Sequence, residues 1–174
     1  MRLNTSRDGE DLTRLLREDH RTFLTCLASL ADPEQRDPRR RRGLLETLQV
    51  GLVAHARAEE AILREALDGV ASLRVPIQVV CEQHALVERL LTELASAHPA
   101  GELWLAKVTV LFHVVRQQVE DEETLLFPAL HDCGAARQRA LAGRFLTERL
   151  QQLPVIDAEL TSRRAESRAS RRVA

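Results

Sequence analysis

The sequence predicts an all-α protein, an up-down-up-down antiparallel four-helix bundle with a short extra C-terminal helix. Three observations support this prediction. Leu, Ala, Glu, Arg and Gln dominate the 174 residues while β-branched residues are sparse, a composition that favours helices. Four long amphipathic segments follow one another along the chain. The connections between them are short and contain Pro or Gly, and long helices joined by short turns pack as antiparallel neighbours.

The first predicted helix runs from about Glu10 to Leu30. It ends before a stretch that contains Pro33 and Pro38, because proline cannot occupy a helix interior without losing a backbone hydrogen bond. Pro38 instead suits the first turn of a helix, so the second helix is predicted over residues 38–67.

Two further turns, at Asp68–Gly69 and at His98–Gly101, delimit the other two helices of the bundle. The third helix is predicted over about residues 73–96. The fourth runs from about Glu102 to Phe127, and Pro128 is expected to end it.

A weaker helix is predicted over residues 135–152, ending before Pro154. The stretch from Thr161 onwards holds five Arg and one Glu. We therefore divide the chain into a bundle domain, residues 1–155, and an Arg-rich flexible tail, residues 156–174.

Composition restricts the function. The formal net charge is −1 and aromatic residues make up 3%, so no nucleic-acid partner is expected for the bundle, although the Arg-rich C-terminus could contact nucleic acid or another anionic partner. No stretch approaches the ~20 apolar residues that a membrane span needs, and the N-terminus has no apolar segment of the kind found in secretory signals. Three scattered Cys residues do not suggest a disulfide framework, and a cytoplasmic location is expected.

Each predicted helix carries an apolar seam that is interrupted only by polar residues of a few types. An ionised carboxylate in an apolar core is costly unless it is compensated, so these interruptions require an explanation. The interruptions are His20 in the first helix, His55 and Glu59 in the second, His84 in the third, and Gln118 and Glu122 in the fourth. The fourth seam is predicted to continue to Leu125.

The two halves of the chain resemble each other. His20 and His84 are 64 residues apart, and an offset of 63 relates His55 to Gln118, Glu59 to Glu122, and Ile62 to Leu125. Such an offset predicts two helical hairpins related by a pseudo-twofold axis. The polar residues should then converge in one layer of the bundle.

Imidazoles and carboxylates that converge in a bundle core are typical of a metal site for iron, manganese or zinc. The ferritin-like arrangement needs Glu-x-x-His on two helices, and no Glu in this sequence has a His three residues later. The sequence instead offers His-x-x-x-Glu in the second helix, with a similar pair in the fourth, and single His residues in the first and third helices.

This order resembles the hemerythrin-like family, also called HHE cation-binding domains, over roughly residues 10–130. The matching motifs are Asp19-His20-Arg21, His55-Ala-Arg-Ala-Glu59-Glu60, Gln83-His84, and Glu122-Glu123-Thr-Leu-Leu-Phe127-Pro128. The resemblance implies an up-down bundle that holds a non-haem di-iron centre and binds or senses oxygen, nitric oxide, peroxide or iron. The metal ligands it implies are His20, His55, Glu59, His84, Gln118 and Glu122.

One position departs from the family, which has a His ligand where this chain has Gln118. His113 lies five residues earlier, about 140° away from the seam on a regular helix, and is expected to face solvent. The second metal site therefore stays open to alternatives. Gln118 could offer its carbonyl oxygen, Glu88 could compensate from the rim of the seam, and Cys81 could supply a thiolate.

The resulting functional prediction is a hemerythrin-like non-haem iron protein whose ligand is a small diatomic molecule or peroxide. No catalytic residue and no protein partner is assigned. Two alternatives remain: an enzyme that turns over peroxide or nitric oxide at the same centre, and a degenerate, metal-free bundle that serves as an interaction module.

Overall fold

The polypeptide forms six α-helices and one π-helical segment over the residues that the computed structural model describes, 11–67 and 69–173. A short 3₁₀ turn, Ala71–Leu73, precedes the third helix. The bounds are α1 Leu12–Ala31, α2 Pro38–Leu67, α3 Arg74–Ser96, α4 Glu102–Asp121, the π-helical segment Glu122–Leu126, α5 Phe127–Asp132 and α6 Ala135–Val173.

Local capping explains where the first helices begin. The Asp11 carboxylate accepts a hydrogen bond from the backbone N–H of Thr13 at 3.0 Å, which satisfies one of the free donors at the start of α1. The Asp37 side chain accepts from the backbone N–H of Arg39 at 2.9 Å, just before α2. The predicted start at Glu10, the turn residue Asp68 and the first ten residues as a whole lie outside the described part of the chain.

Helices α1 to α4 form the predicted bundle. Around its axis α1 packs against α2 and α4, and α3 packs against the same two helices. The buried apolar side chains of these helices fall into two clusters, one at each end of the bundle. Along every helix the predicted polar seam residues lie between the two clusters. The all-α bundle predicted from the sequence is therefore confirmed.

The π-helical segment changes the register of the fourth seam. The backbone N–H of Phe127 bonds to the carbonyl of Glu122, five residues earlier, so this turn contains one extra residue. As a result Leu126 is fully buried, whereas Leu125 is 48% exposed. The prediction that Leu125 continues the seam is wrong. The helical backbone also passes Pro128 and continues to the end of α5, so the predicted stop at that proline is wrong too.

The C-terminal helix is much longer than predicted. Helix α6 contains Pro154 in its interior instead of ending before it. Proline removes a backbone donor and costs about 3 kcal/mol inside a helix, but packing continues beyond it. Ile156 is buried in the core, and Leu160 packs against the same cluster. The helix lies against α2 and α1. The predicted division at residue 155 into bundle domain and flexible tail stays a prediction.

No helix in the described part of the chain combines the length and the apolar character required to cross a membrane.

Candidate metal centre

The six polar seam residues come together in one layer between the two apolar clusters. We call this set the polar layer. Each member is at most 5% exposed, although all six carry polar or ionisable groups: His20, His55, Glu59, His84, Gln118 and Glu122. The convergence predicted from the internal repeat is thus present in the structure.

Potential ligand atoms in the polar layer form two groups that share a carboxylate. The first half-site consists of His20, His55 and Glu59, and the second consists of Glu59, His84 and Glu122. Within each group the ligand atoms lie within 4.8 Å of one another. Glu122 also approaches the first half-site, since its Oε2 atom is 3.2 Å from His20 Nε2. Both carboxylates therefore face both half-sites.

Most inward-facing atoms of the polar layer make no hydrogen bond of good geometry, although His20 Nε2 and Glu122 Oε2 lie 3.2 Å apart. Six of these atoms are buried without a hydrogen bond: Nε2 of His20, His55 and His84, both carboxylate oxygens of Glu59, and Oε2 of Glu122. Leaving so many buried polar atoms unpaired is costly, and native proteins rarely do so without a reason. A cation bound between these nitrogens and oxygens would satisfy them together, so the residues present fit a metal centre.

The outward-facing nitrogen of each imidazole lies against a carboxylate of another helix. The Nδ1 atom of His55 is 3.0 Å from Asp19 Oδ2. The corresponding atom of His84 is 3.0 Å from Glu60 Oε1, and that of His20 is 3.2 Å from Glu123 Oε1. A carboxylate at Nδ1 fixes the tautomer and the ring orientation of a metal-binding histidine and directs Nε2 towards the metal.

An arginine in turn holds each of these three outer carboxylates. The donor–acceptor distances are 2.6 Å for Arg149 to Asp19, 2.9 Å for Arg64 to Glu60, and 3.2 Å for Arg17 to Glu123. The outer charges are thereby balanced in pairs, so the two inner carboxylates, Glu59 and Glu122, remain to neutralise a cation bound between the imidazoles. Sequence reasoning assigned no role to Asp19 or Glu123 and did not identify the arginines.

The carboxylates change the proton affinity of the imidazoles. Burial alone would lower the pKa of His55, but Asp19 and Glu59 outweigh it and raise that pKa to about 9. Burial would also lower the pKa of His84, but Glu122 and Glu60 outweigh it and raise that pKa to about 10. Without a cation these rings therefore carry protons at neutral pH, and a bound metal would displace them.

Gln118 lies within the polar layer, beside the second half-site. Its amide nitrogen donates a hydrogen bond to Glu122 Oε1 at 2.9 Å, and its oxygen is buried without a partner. The 64-residue offset also places Gln83 where the first half has Asp19. Gln83 donates to Asp121 at 3.0 Å and does not support an imidazole. The second half thus has two amides where the first half has a histidine and its orienting carboxylate.

The other candidates considered for the second site do not join the ligand groups found among the described residues. Glu88 accepts a hydrogen bond from Arg57 at 3.0 Å. The Sγ atom of Cys81 accepts a weak one from Arg64 at 3.7 Å. His113 is exposed, as the helical geometry predicted.

Three phenylalanines enclose the imidazoles of the first half-site. The rings of Phe23 and Phe145 meet the ring of His55 edge-on, with centroids 5.2 and 5.5 Å away. Phe127 stacks on His20 at 5.9 Å. These contacts exclude water from that side of the layer and strengthen its electrostatic interactions.

A cavity of about 290 Å³ lies between α2 and α3. Its walls include His84, Glu60 and Cys81. His84 is thus the imidazole of the polar layer that borders this cavity, next to its outer carboxylate Glu60.

A family model described as the hemerythrin HHE cation binding domain matches residues 11–130. No curated protein and no solved structure gives a significant match. The matched range includes the whole polar layer and ends before α6.

Proposed function

Because the chain belongs to the hemerythrin HHE cation-binding domain family, we propose that it is a non-haem iron protein that holds a pair of iron ions in its polar layer. The observation that carries this proposal is the set of buried, unpartnered ligand atoms on four different helices. Imidazole nitrogen and carboxylate oxygen are donors that suit iron, and manganese and zinc compete for the same donor set.

The proposal assigns His20 and His55 to one iron and His84 to the other. Glu59 and Glu122 face both half-sites and would be shared between the two ions. Gln118 steadies Glu122 through its amide nitrogen and presents an oxygen, a weaker donor than an imidazole. We therefore expect two unequal sites, with the second one weaker and less completely coordinated.

The physiological ligand in this proposal is dioxygen, nitric oxide or peroxide. A bound iron pair would supply the redox chemistry that these small molecules require. The protein supplies the remainder: outer carboxylates that direct the imidazoles, a phenylalanine enclosure that excludes water, and a cavity beside His84 large enough for a small molecule.

The proposal is tested by loading the purified full chain with Fe²⁺ under anaerobic conditions and removing unbound metal. Iron per chain is then measured, and absorption spectra are recorded before and after addition of nitric oxide or oxygen. We expect up to two iron ions per chain and a spectral change on ligand addition. One ion per chain would mean that the second half-site no longer holds metal.

A protein that binds no iron, manganese or zinc under these conditions would contradict the proposal and favour the metal-free interaction module. Peroxide consumption by the iron-loaded protein distinguishes the enzymatic alternative. Turnover that continues over many equivalents of peroxide would make the protein an enzyme, whereas a single stoichiometric reaction is the result expected of a binding or sensing protein.

A further inference from the structure

We propose that α6 contributes to the metal centre by supplying Arg149 and Phe145, which are positioning residues for His55. Both residues lie beyond residue 130, where the family match ends. The inference rests on the proposed metal-binding function, and it adds a helix that the family resemblance does not include.

A single carboxylate oxygen joins α6 to the polar layer. The Nη1 atom of Arg149 donates to Asp19 Oδ2 at 2.6 Å, and the same oxygen is 3.0 Å from His55 Nδ1. A charge-assisted hydrogen bond of this length restrains the carboxylate strongly. Arg149 therefore restricts where Asp19 can lie, and Asp19 determines the direction in which His55 presents Nε2.

Phe145 restrains the plane of the same imidazole. It is fully buried, and its ring meets that of His55 edge-on at 5.5 Å. Arg149 follows one turn later on α6, and its guanidinium group lies 5.4 Å from the Phe145 ring centre. The two residues thus act on His55 from one face of one helix, one through a hydrogen bond and the other through ring packing.

The other two imidazoles have a different source of support. The outer carboxylate of His84 is held by Arg64 from α2, and that of His20 by Arg17 from α1. Of the three arginines that hold the outer carboxylates, only Arg149 comes from outside the four bundle helices. Displacement of α6 should therefore weaken the first half-site selectively.

The test uses full-length variants and a matched control. Arg149→Gln removes the charge that holds Asp19, and Arg149→Lys keeps it. The control, Glu159→Gln, likewise removes an ion pair made by α6, in this case with α2 and away from the polar layer. Glu159 accepts two hydrogen bonds from Arg57 at 3.0 and 3.2 Å. The side chains of Arg149 and Glu159 are 33% and 38% exposed, so the perturbations are comparable.

Two readouts are measured for each variant: the affinity of the tighter site for Co²⁺ or Zn²⁺, by competition with a chelator, and the solvent exchange of the His55 Nδ1 proton, by NMR of the metal-free protein. For Arg149→Gln we expect a loss of affinity of up to about 10-fold, the lower end of the range for removal of a histidine's direct partner, because Arg149 acts through Asp19, together with faster proton exchange. Arg149→Lys should recover most of both. Glu159→Gln should leave both unchanged.

Equal losses of affinity in Arg149→Gln and Glu159→Gln would reduce α6 to a structural support and overturn the proposal. Unchanged affinity and unchanged proton exchange in Arg149→Gln would also overturn it. If the parent protein binds no metal, the proposed function fails, but the proton-exchange measurement still shows whether Arg149 orients His55.

Discussion

The two half-sites differ in one imidazole and its orienting carboxylate, and substitutions that introduce both groups into the second half-site test whether this difference determines its metal affinity. The change Gln118→His introduces an imidazole where the first half has His55. By itself it lacks an orienting carboxylate, because Gln83 occupies the position equivalent to Asp19. Replacing Gln83 with Asp would place two carboxylates against each other, because the Gln83 amide now donates a hydrogen bond to Asp121. The full copy therefore also needs Asp121→Ala, which reproduces Ala58 of the first half.

The expected magnitudes follow from these contacts. An outer carboxylate typically contributes 10–100-fold to metal affinity, or about 1.4–2.7 kcal/mol. Gln118→His alone should tighten the second site, because an imidazole nitrogen replaces an amide oxygen. Adding Gln83→Asp and Asp121→Ala should tighten it by a further 10–100-fold. The same two changes without Gln118→His should not tighten it, since no imidazole is present for the carboxylate to orient.

Titration with Co²⁺ or Fe²⁺ against a competing chelator gives the affinity of the second site in all four proteins. Metal stoichiometry provides an independent check and should approach two per chain in the triple variant. The reasoning fails if the triple variant binds its second metal no more tightly than the single variant. It also fails if Gln118→His changes nothing, because that would mean that residue 118 does not reach the second half-site.

Four other predictions concern the layer and its surroundings. His55→Ala should lower metal content and remove the metal-dependent rise in melting temperature, whereas the control His113→Ala should retain both and cost under about 0.5 kcal/mol in denaturant unfolding; equal metal loss in both would contradict the site. Leu126→Ala should cost about 2–5 kcal/mol of unfolding free energy and Leu125→Ala almost none, and the reverse order would disprove the π-helical register. The raised His55 pKa stabilises the metal-free fold fully below pH 6.5, and this contribution is lost as pH rises through about 9; its melting temperature should therefore fall between pH 7 and 10. Metal affinity should rise over the same range, because the metal must displace the proton, and a flat profile would contradict the assignment.

Helical periodicity and the internal repeat predicted most of the fold and the members of the polar layer. They succeeded because a seam residue must face the core whatever its neighbours are, so spacing alone fixes the burial of His20, His55 and Glu59. Helical geometry likewise kept His113 out of the layer, and His113 is exposed. Whether the layer binds metal is a separate question, which the experiments above address.

The features that were missed depend on contacts between distant parts of the chain. Periodicity shows which face a residue occupies but not which partner it meets, and Arg149 and Asp19 are separated by 130 residues. The π-helical turn was missed because the repeat was assumed to keep one offset beyond Glu122. The pair Glu59 and Glu122 is aligned correctly, but the turn that begins there adds a residue before the next buried position. The sequence did contain one sign that the second half-site lacks an orienting carboxylate. The offset that relates His20 to His84 also relates Asp19 to Gln83, an amide.

The division of the core by the polar layer has a consequence for how the fold opens. Apolar clusters on either side each hold together by their own packing, while the metal-free layer between them contains unpaired buried groups. We expect the two ends of the metal-free bundle to behave as separate foldons, with amide hydrogen exchange proceeding at different rates in each. A metal bound by side chains from four helices would crosslink the ends, so that the core amides of both exchange only through a shared global opening.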